Sequence, residues 1–548
     1  MIDDLWYKNA VIYCLDVKTY LDGNGDGIGD FSGLTRRLDY LAGLGVTCLW
    51  LQPFYPSPNK DNGYDVGDYY GVHPHHGTFG DFVEFMNHAR QLGLRVIVDL
   101  VVNHTSDRHP WFRHACKHPE SPYRPWYIWS KTKPRDAASG IVFPGVQKTT
   151  WTYQPDARAY YFHRFYDCQP DLDTSHPDVQ REILRIMGFW LQLGVSGFRM
   201  DAVPFLIERK GARVRHVKNY ELLHQMRDFL QWRCGDAVLL AEANVPPDES
   251  MEYFGELGDR LQLMLNFPVN QRLFYTLATG DIRPLVKALE DTYRRPQAAQ
   301  WVNFLRSHDE LDLGRLTESQ RTKVFEAFGP HKTDQLYNRG IRRRLAAMLD
   351  NDRRKIEFAM SLLFTLPGTP MLQYGDEIGI GDDLSLPERM CARTPMQWSA
   401  DRHDSFTTAA RPLRPVVSDP VFSYERVNVE AQRRDPQSLL NWTERAIRMR
   451  KECPEVSWGD WKILRTRAPE VLVMRYIYDS HALVVIHNFS DKPRAIQLDA
   501  DVVGDKTMVN LLTQEDSHAT DRGQHRIELD AYHYRWFRVG GTGHSVAR

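Results

Sequence analysis

Arg95-Val-Ile-Val-Asp99-Leu-Val-Val102, followed at once by Asn103-His104, is a short run rich in β-branched residues, and it predicts a strand buried on both faces that ends in polar groups. The segment before it, Asp81 to Leu92, has the apolar spacing of an amphipathic helix. The same alternation recurs along the chain. Further strand candidates are Val11 to Val17, Val46 to Gln52, Val195 to Met200, Ala237 to Glu242, Gln262 to Phe267, Trp301 to Ser307 and Thr369 to Tyr374. Helical segments such as Pro177 to Leu193 and Asn219 to Cys234 separate them. Eight such units predict an α/β fold, a (β/α)8 TIM barrel, whose chemistry belongs on the loops at the strand C-terminal ends.

Two connections are too long for plain loops. About 70 residues rich in Trp, Tyr, Pro and His separate the third strand from the helix at Pro177, which predicts an inserted subdomain. A strongly charged excursion after the seventh strand reads as a lid or a dimer contact. From a last helical stretch, Gln437 to Lys451, the pattern changes to short alternating runs, Val471 to Tyr478, Ala482 to His487 and Tyr534 to Val539. The expected domains are therefore a barrel over 1–103 and 177–452, an inserted subdomain over 104–176, a lid-like insertion over 310–355 and a C-terminal antiparallel β-sandwich over 453–548. The tail after Gly540 is expected to be mobile.

The 548 residues carry 69 Lys plus Arg against 71 Asp plus Glu, a formal net charge of -2. No global field attracts nucleic acid or acidic membranes. No apolar run has bilayer length, and Met1-Ile2-Asp3-Asp4 begins no signal peptide. Seven scattered cysteines without a C-x-x-C fit reduced thiols, so the expected compartment is the cytoplasm.

Charged groups fall at the predicted strand ends: Asp99, Asn103 and His104 on the third, Arg199 and Asp201 on the fourth, Glu242 on the fifth, His308 and Asp309 on the seventh. Each alone reads most simply as a helix cap or a solvated charge. Barrel closure, however, brings strands four, five and seven to one mouth, so three carboxylates there predict a shared catalytic site. Separately, Asp22-Gly-Asn24-Gly-Asp26-Gly-Ile28-Gly-Asp30 places oxygen ligands at alternate positions, an arrangement that wraps a hard cation, although position twelve is Gly33 and not an EF-hand glutamate. The alternative is a turn held by its own backbone hydrogen bonds.

Asp99-Leu-Val-Val-Asn103-His104, Gly197-Phe-Arg199-Met-Asp201-Ala, Leu240-Ala-Glu242-Ala-Asn244 and Arg306-Ser-His308-Asp309 resemble, in order, the four sequence regions of the α-amylase family of glycoside hydrolases and transferases (family 13). The resemblance implies Asp201 as nucleophile, Glu242 as general acid/base and Asp309 as the carboxylate that holds the distorted sugar. Arg199 would sit against the nucleophile, and His104 and His308 would bind hydroxyls. Retaining glycosidase chemistry needs such a pair, one carboxylate ionised and one protonated. Arg199 would then lower the pKa of Asp201, and the crowded negative site would raise that of Glu242.

By the same resemblance Gly63-Tyr64-Asp65-Val66 and Arg393-Thr-Pro-Met-Gln397-Trp398 supply an Asp65–Arg393 clamp on one glucose, with Tyr64 and Gln169 beside it. Asp22, Asn24, Asp26, Ile28 and Asp30 would form the family's structural Ca loop, and Asn103, Asp171 and Glu208 a second Ca site. No organic cofactor is implied.

Further motifs narrow the resemblance to the branch whose members interconvert maltose and trehalose. They are Gln169-Pro-Asp-Leu-Asp173, Asp201-Ala-Val-Pro204, Asn303-Phe-Leu-Arg-Ser-His-Asp-Glu310, Gly340-Ile-Arg-Arg-Arg-Leu-Ala346, Leu366-Pro-Gly-Thr-Pro370 and Tyr424-x-x-Val-Asn-Val-Glu-Ala-Gln432. The activity implied is intramolecular glucosyl transfer through a covalent glucosyl-enzyme, with a homodimer as the implied assembly. A hydrolase of small α-glucosides would keep the same catalytic residues and stands as the alternative. Cys14-Leu15-Asp16 stands where Glu-Leu-His is usual, and Asp173 where Asn is common; both departures are expected to bear on the acceptor side. A non-catalytic binding subunit is disfavoured because all three carboxylates are present.

Overall fold

Eight parallel strands, β1 (Ile12–Leu15), β2 (Cys48–Leu51), β3 (Arg95–Leu100), β4 (Gly197–Met200), β5 (Val238–Ala241), β6 (Leu263–Leu265), β7 (Gln300–Phe304) and β8 (Thr369–Gln373), close into one barrel in sequential order, β8 pairing with β1. The computed structural model describes residues 3–211 and 217–539, so the tail after Gly540 lies outside the described residues. The strands are shorter than the apolar runs that announce them. Glu242 and Ser307 have already left the ladder, because the last residue or two of each run turns outward to build the mouth.

Alternate strand residues point to opposite faces. Ile12, Cys14, Trp50, Ile97, Leu240, Leu265 and Phe304 fill the lumen as one buried cluster, while Tyr13, Leu49, Val96 and Leu239 belong to the core beneath the surrounding helices. Burial on both faces explains why the strands read as continuous apolar runs. The register pairs Asp99 with Arg199 across β3 and β4, so both side chains enter the same end of the lumen.

Between β3 and the helix Pro177–Gln192 the chain forms a helix, Pro110–Lys117, and a three-stranded antiparallel sheet with Ala159–Phe162 between Trp129–Ser130 and Trp151–Gln154. After β7 it forms a second small sheet from Leu311–Asp312, Gly340–Ile341 and Gln335–Leu336, with the helix Glu318–Phe328. The C-terminal domain has a six-stranded antiparallel sheet and a two-stranded one. Val473, Val484, Ile496, Ile527 and Phe537 pack between them. The other face of the larger sheet lies on the barrel, where the Trp536 indole N–H donates to Ser361 Oγ at 2.8 Å and the Tyr476 hydroxyl to Thr365 O at 2.5 Å. Among the described residues no helix is long and apolar enough to cross a membrane.

Candidate active site

The C-terminal mouth of the barrel opens into a cavity of about 430 Å³, a volume suited to a small ligand such as a disaccharide. Trp50, Tyr64, His104, Arg199, Asp201, Glu242, His308 and Asp309 line its floor. Val142, Phe143 and Phe165 of the inserted subdomain and Glu310, Asp312, Arg315 and Arg339 of the insertion after β7 line its roof.

Arg199 organises the floor. It is 1% exposed, and its Nη1 donates to Asp99 Oδ1 at 2.7 Å and to Asp201 Oδ1 at 2.6 Å, while Nη2 lies 2.8 Å from Glu242 Oε2. Asp201 and Glu242 thus sit on neighbouring nitrogens of one planar group, consistent with the short carboxyl separation of a retaining pair. Ala202, directly after Asp201, has a left-handed backbone with φ 49°, a conformation that costs energy in a residue with a Cβ. The turn aims the Ala202 N–H at Glu242 Oε2, 3.1 Å away.

Burial pushes Asp201 up to about 6, with Arg199 pulling it down and Asp99 and Asp309 pushing it up. The expectation of a net depression by Arg199 is therefore corrected: the guanidinium lowers the value, but the desolvation of a fully enclosed carboxyl outweighs it. Burial also raises Glu242, with Asp201 and Asp309 adding to the rise against Arg199. Asp309 behaves oppositely. Burial would raise it, but His308, Arg389 and Arg393 together bring it well below the usual carboxylate range.

His308 Nε2 lies 2.8 Å from the Tyr64 hydroxyl and 3.2 Å from Asp309 Oδ2, and its ring stacks on Tyr64 with centroids 5.5 Å apart. The Tyr64 hydroxyl also donates to Asp99 Oδ2 at 3.2 Å. Gln169 Nε2 reaches Asp61 Oδ2 at 3.0 Å and His104 Nε2 at 3.2 Å. Tyr64, His104, Gln169, Arg199, Asp201, Glu242, His308 and Asp309 all line this one cavity.

Asp65 and Arg393 are not in the cavity. Asp65 is fully buried and accepts from the Lys60 and Asp61 N–H groups and the Ser57 hydroxyl, so it closes the loop before it from inside. Arg393 lies behind Asp309, donating to Asp309 Oδ1 at 2.9 Å and to His308 O at 2.8 Å. The pair that spans the cavity is displaced by four residues in each motif. Arg389 Nη1 donates to Asp309 Oδ1 at 2.7 Å, and its Nη2 donates to Asp61 Oδ1 at 2.9 Å.

Neither Asp16 nor Asp173 lines the cavity. Asp16 accepts from Asn62 Nδ2 at 3.0 Å and so steadies the turn that carries Asp61.

The sequence profile described as "Alpha amylase, catalytic domain" matches residues 15–459. The chain belongs to the α-amylase family. A second profile, "Sucrose hydrolase-like, C-terminal domain", matches 481–538. A trehalose synthase of Thermus thermophilus is 42% identical over 98% of this chain, which spans 56% of that protein's length. A trehalose synthase/amylase of Mycobacterium tuberculosis strain H37Rv is 39% identical over 99% of this chain and 92% of its own. Among solved structures, the α-amylase from H. orenii has a TM-score of 0.80 at 27% identity, covering 97% of this chain and 100% of the other. The trehalulose synthase of Pseudomonas mesoacidophila MX-45 has a TM-score of 0.76 at 25% identity, covering 98% and 99%.

The two places assigned to calcium in this α-amylase-family chain differ from each other. At Asn103, Asp171 and Glu208 the chain supplies its own cation. The buried Lys210 Nζ donates to Asn103 Oδ1 at 2.7 Å, Asn103 O at 3.0 Å and Leu172 O at 3.0 Å, and lies 2.9 Å from Asp171 Oδ2. Glu208 pairs with Arg164 at 2.9 Å. A divalent ion there would meet the ammonium, so the second site is withdrawn. Replacing Lys210 by Met is expected to leave Asp171 a buried unpaired carboxylate and to cost about 3–5 kcal/mol, measured as a lower urea midpoint.

At the first place Asp22 accepts from the N–H groups of Asn24, Gly25 and Gly27, and Asp30 from those of Gly23, Asn24 and Gly33. Asp26 pairs with His75 at 3.0 Å. Among the described residues no three acidic, histidine or cysteine side chains converge as a metal-binding cluster. The donor set is nonetheless all oxygen, as a hard cation requires.

Proposed function

We propose that this chain interconverts maltose and trehalose by intramolecular glucosyl transfer, as a maltose α-D-glucosyltransferase. The observation that carries the reading is a cavity in which the carboxylate pair on Arg199 lies under a roof drawn from two separate insertions. The similarity to trehalose synthases over nearly the whole chain supports it.

In the proposed cycle the Asp201 carboxylate attacks the anomeric carbon of maltose. The glycosidic C–O bond breaks, and Glu242 gives its proton to the departing oxygen. The glucose released turns within the cavity. Its own anomeric hydroxyl then attacks the glucosyl-enzyme, returning a proton to Glu242 and freeing Asp201. Asp309, kept ionised by His308, Arg389 and Arg393, accepts hydroxyls of the bound ring throughout.

Water would compete at the second step, so the seal of the roof sets the ratio of isomerisation to hydrolysis. Arg339 holds one seam. Its Nη1 donates to Val142 O at 2.7 Å, joining the insertion after β7 to the inserted subdomain. Arg339→Ala is expected to raise the share of free glucose in the products at least about twofold, with maltose turnover largely kept. Chromatography of the products checks this.

The function itself is tested by incubating the protein with maltose and, separately, with trehalose. Conversion in both directions with little glucose supports the isomerase. Glucose as the main product makes the chain a hydrolase.

The Asp22-to-Asp30 loop is proposed to take a structural calcium ion, a reading its oxygen-only donors support. Added calcium at about 100 times its Kd should then raise the melting temperature of chelator-treated protein by roughly 2–3 °C, the effect of about 2.7 kcal/mol of linkage in a chain of this length. An unchanged melt would leave the loop to its own amides. The seven unpaired cysteines support a reducing compartment, the cytoplasm.

A further inference from the structure

Glu388 does not touch the cavity, yet three elements of the fold meet on its carboxylate. The Tyr166 hydroxyl, from the inserted subdomain, donates to Glu388 Oε2 at 2.6 Å. The Tyr337 hydroxyl, from the insertion after β7, donates to the same oxygen at 2.5 Å, and the two phenols lie 3.2 Å apart. Arg342 of the same insertion reinforces the contact through the backbone, donating to Leu384 O at 2.8 Å, Leu386 O at 2.8 Å and Glu388 O at 3.1 Å. The ring of Phe143 stacks against Tyr166 and packs on Tyr337, with centroids 4.8 Å away in each case. Burial raises both phenols above their ordinary range, so they remain donors.

Two residues of this contact hold backbone conformations that L side chains rarely adopt: Tyr337 at φ 54° and Glu388 at φ 43°. Such residues persist only where their surroundings over-determine them. Here the surroundings are the two hydroxyl bonds and the grip of Arg342. The next residue after Glu388 is Arg389, whose guanidinium bridges Asp61 and Asp309 and lies 5.1 Å from the Phe143 ring centre.

From this juxtaposition we infer that Glu388 is a positioning residue that couples closure of the two roof insertions to assembly of the Arg389 bridge across the glucose-binding half of the cavity. While Tyr166 and Tyr337 hold the carboxylate, the left-handed turn at Glu388 directs Arg389 inward. When the roof parts, both hydroxyl bonds are lost together, the turn relaxes, and Arg389 withdraws from Asp61 and Asp309. Tight holding of the donor sugar and exclusion of water then occur together, so that a glucosyl-enzyme is formed only under a closed roof. The inference rests on the proposed transfer reaction for its consequence in products, but the coupling itself is a statement about binding.

The test uses the full chain with Glu388→Gln, Glu388→Ala, Glu388→Gly and Tyr337→Phe. Gln keeps an oxygen for one phenol and a donor for the other; Ala and Gly keep neither, and Gly alone removes the steric objection to positive φ. Calorimetric binding of maltose, with each substitution placed in an Asp201→Asn background, reads the sugar site without turnover. Loss of the paired hydrogen bonds should weaken maltose binding about tenfold in the Ala and Gly variants and only slightly in Gln. In the active background KM should rise more than kcat falls, and the glucose share should grow. Tyr337→Phe should fall between.

Equal binding in Ala and wild type, or equal damage from Gln and Ala, would overturn the coupling. So would full recovery by Gly, which would assign the effect to backbone strain alone. A wild-type protein that binds maltose but releases only glucose would refute the transfer reading and leave the binding comparison intact. Thermal melts identify any variant that fails to fold, and for such a variant Tyr337→Phe, which removes one hydroxyl only, decides.

Discussion

Asp201→Asn is expected to lower turnover of both maltose and trehalose by about four orders of magnitude or more while the protein stays folded. The substitution keeps an oxygen that can accept from Arg199 Nη1, the contact that now spans 2.6 Å, so the floor of the cavity need not collapse. What is lost is the charge that attacks the anomeric carbon. The pH profile of the native protein should carry the same signature. Burial holds Asp201 at about 6, so in the free protein the ionised nucleophile appears as pH rises through that region, and kcat/KM should climb with it. At higher pH activity should fall as Glu242, itself raised by burial, gives up the proton it must donate. Because the two carboxyls share Arg199, the limbs belong to the pair. Activity unchanged in Asp201→Asn would sink the mechanism, and the assay for glucose, maltose and trehalose decides it.

The barrel was legible because its strands are buried on both faces, which leaves unbroken runs such as Val96-Ile97-Val98 between amphipathic segments. The carboxylates were legible for a related reason. Asp99 and Arg199 lie on lumen-facing positions of adjacent strands, strand register fixes their meeting, and Asp201 follows just beyond the end of β4. The identity of the Asp–Arg pair that spans the cavity was not. Asp61 and Asp65 flank the same Asn62-Gly63 turn, and Arg389 and Arg393 stand four apart in one loop, so composition alone does not choose between them. The choice is made by loop hydrogen bonds: Asp65 takes three donors from residues 57–61 and is used up inside the loop. Lys210 carried a signal that could have been used. A lysine two residues beyond Glu208, in a segment expected to ligate calcium, is a built-in alternative to the ion. The roof contacts of Tyr166, Tyr337, Arg339 and Glu388 join segments more than 50 residues apart, and periodicity gives no information on such pairs.

Arg389 spans the cavity from Asp61 to Asp309, whereas Asp65 is spent inside its own loop. Arg389→Ala removes a guanidinium that bridges two carboxylates across the cavity, at 2.9 Å from Asp61 and 2.7 Å from Asp309. Removing one partner of a buried ion pair leaves an uncompensated charge; here Asp61 loses its cation, while Asp309 keeps Arg393 at 2.9 Å. A loss of about two to three orders of magnitude in kcat/KM is expected, carried mostly by KM if the bridge holds the ground-state sugar. The sign of the accompanying pH change follows from the causes at Asp309. Burial alone would raise it, and His308, Arg389 and Arg393 hold it low; deleting the Arg389 guanidinium moves it upward, toward the region where Asp201 titrates, so activity at the acid end should fall off more than in the native protein. Lysine at 389 should restore only part of the loss, because a single ammonium cannot present two nitrogens to two carboxylates as the planar fork does. The contrast that matters is with Asp65→Asn. If Asp65 only closes its loop, that variant should lower the melting temperature with KM little changed, whereas Asp61→Asn should raise KM with the melt little changed. The opposite pattern would return the clamp to Asp65, and the Arg389 bridge would then be an ion pair of the closed roof without a hold on the sugar.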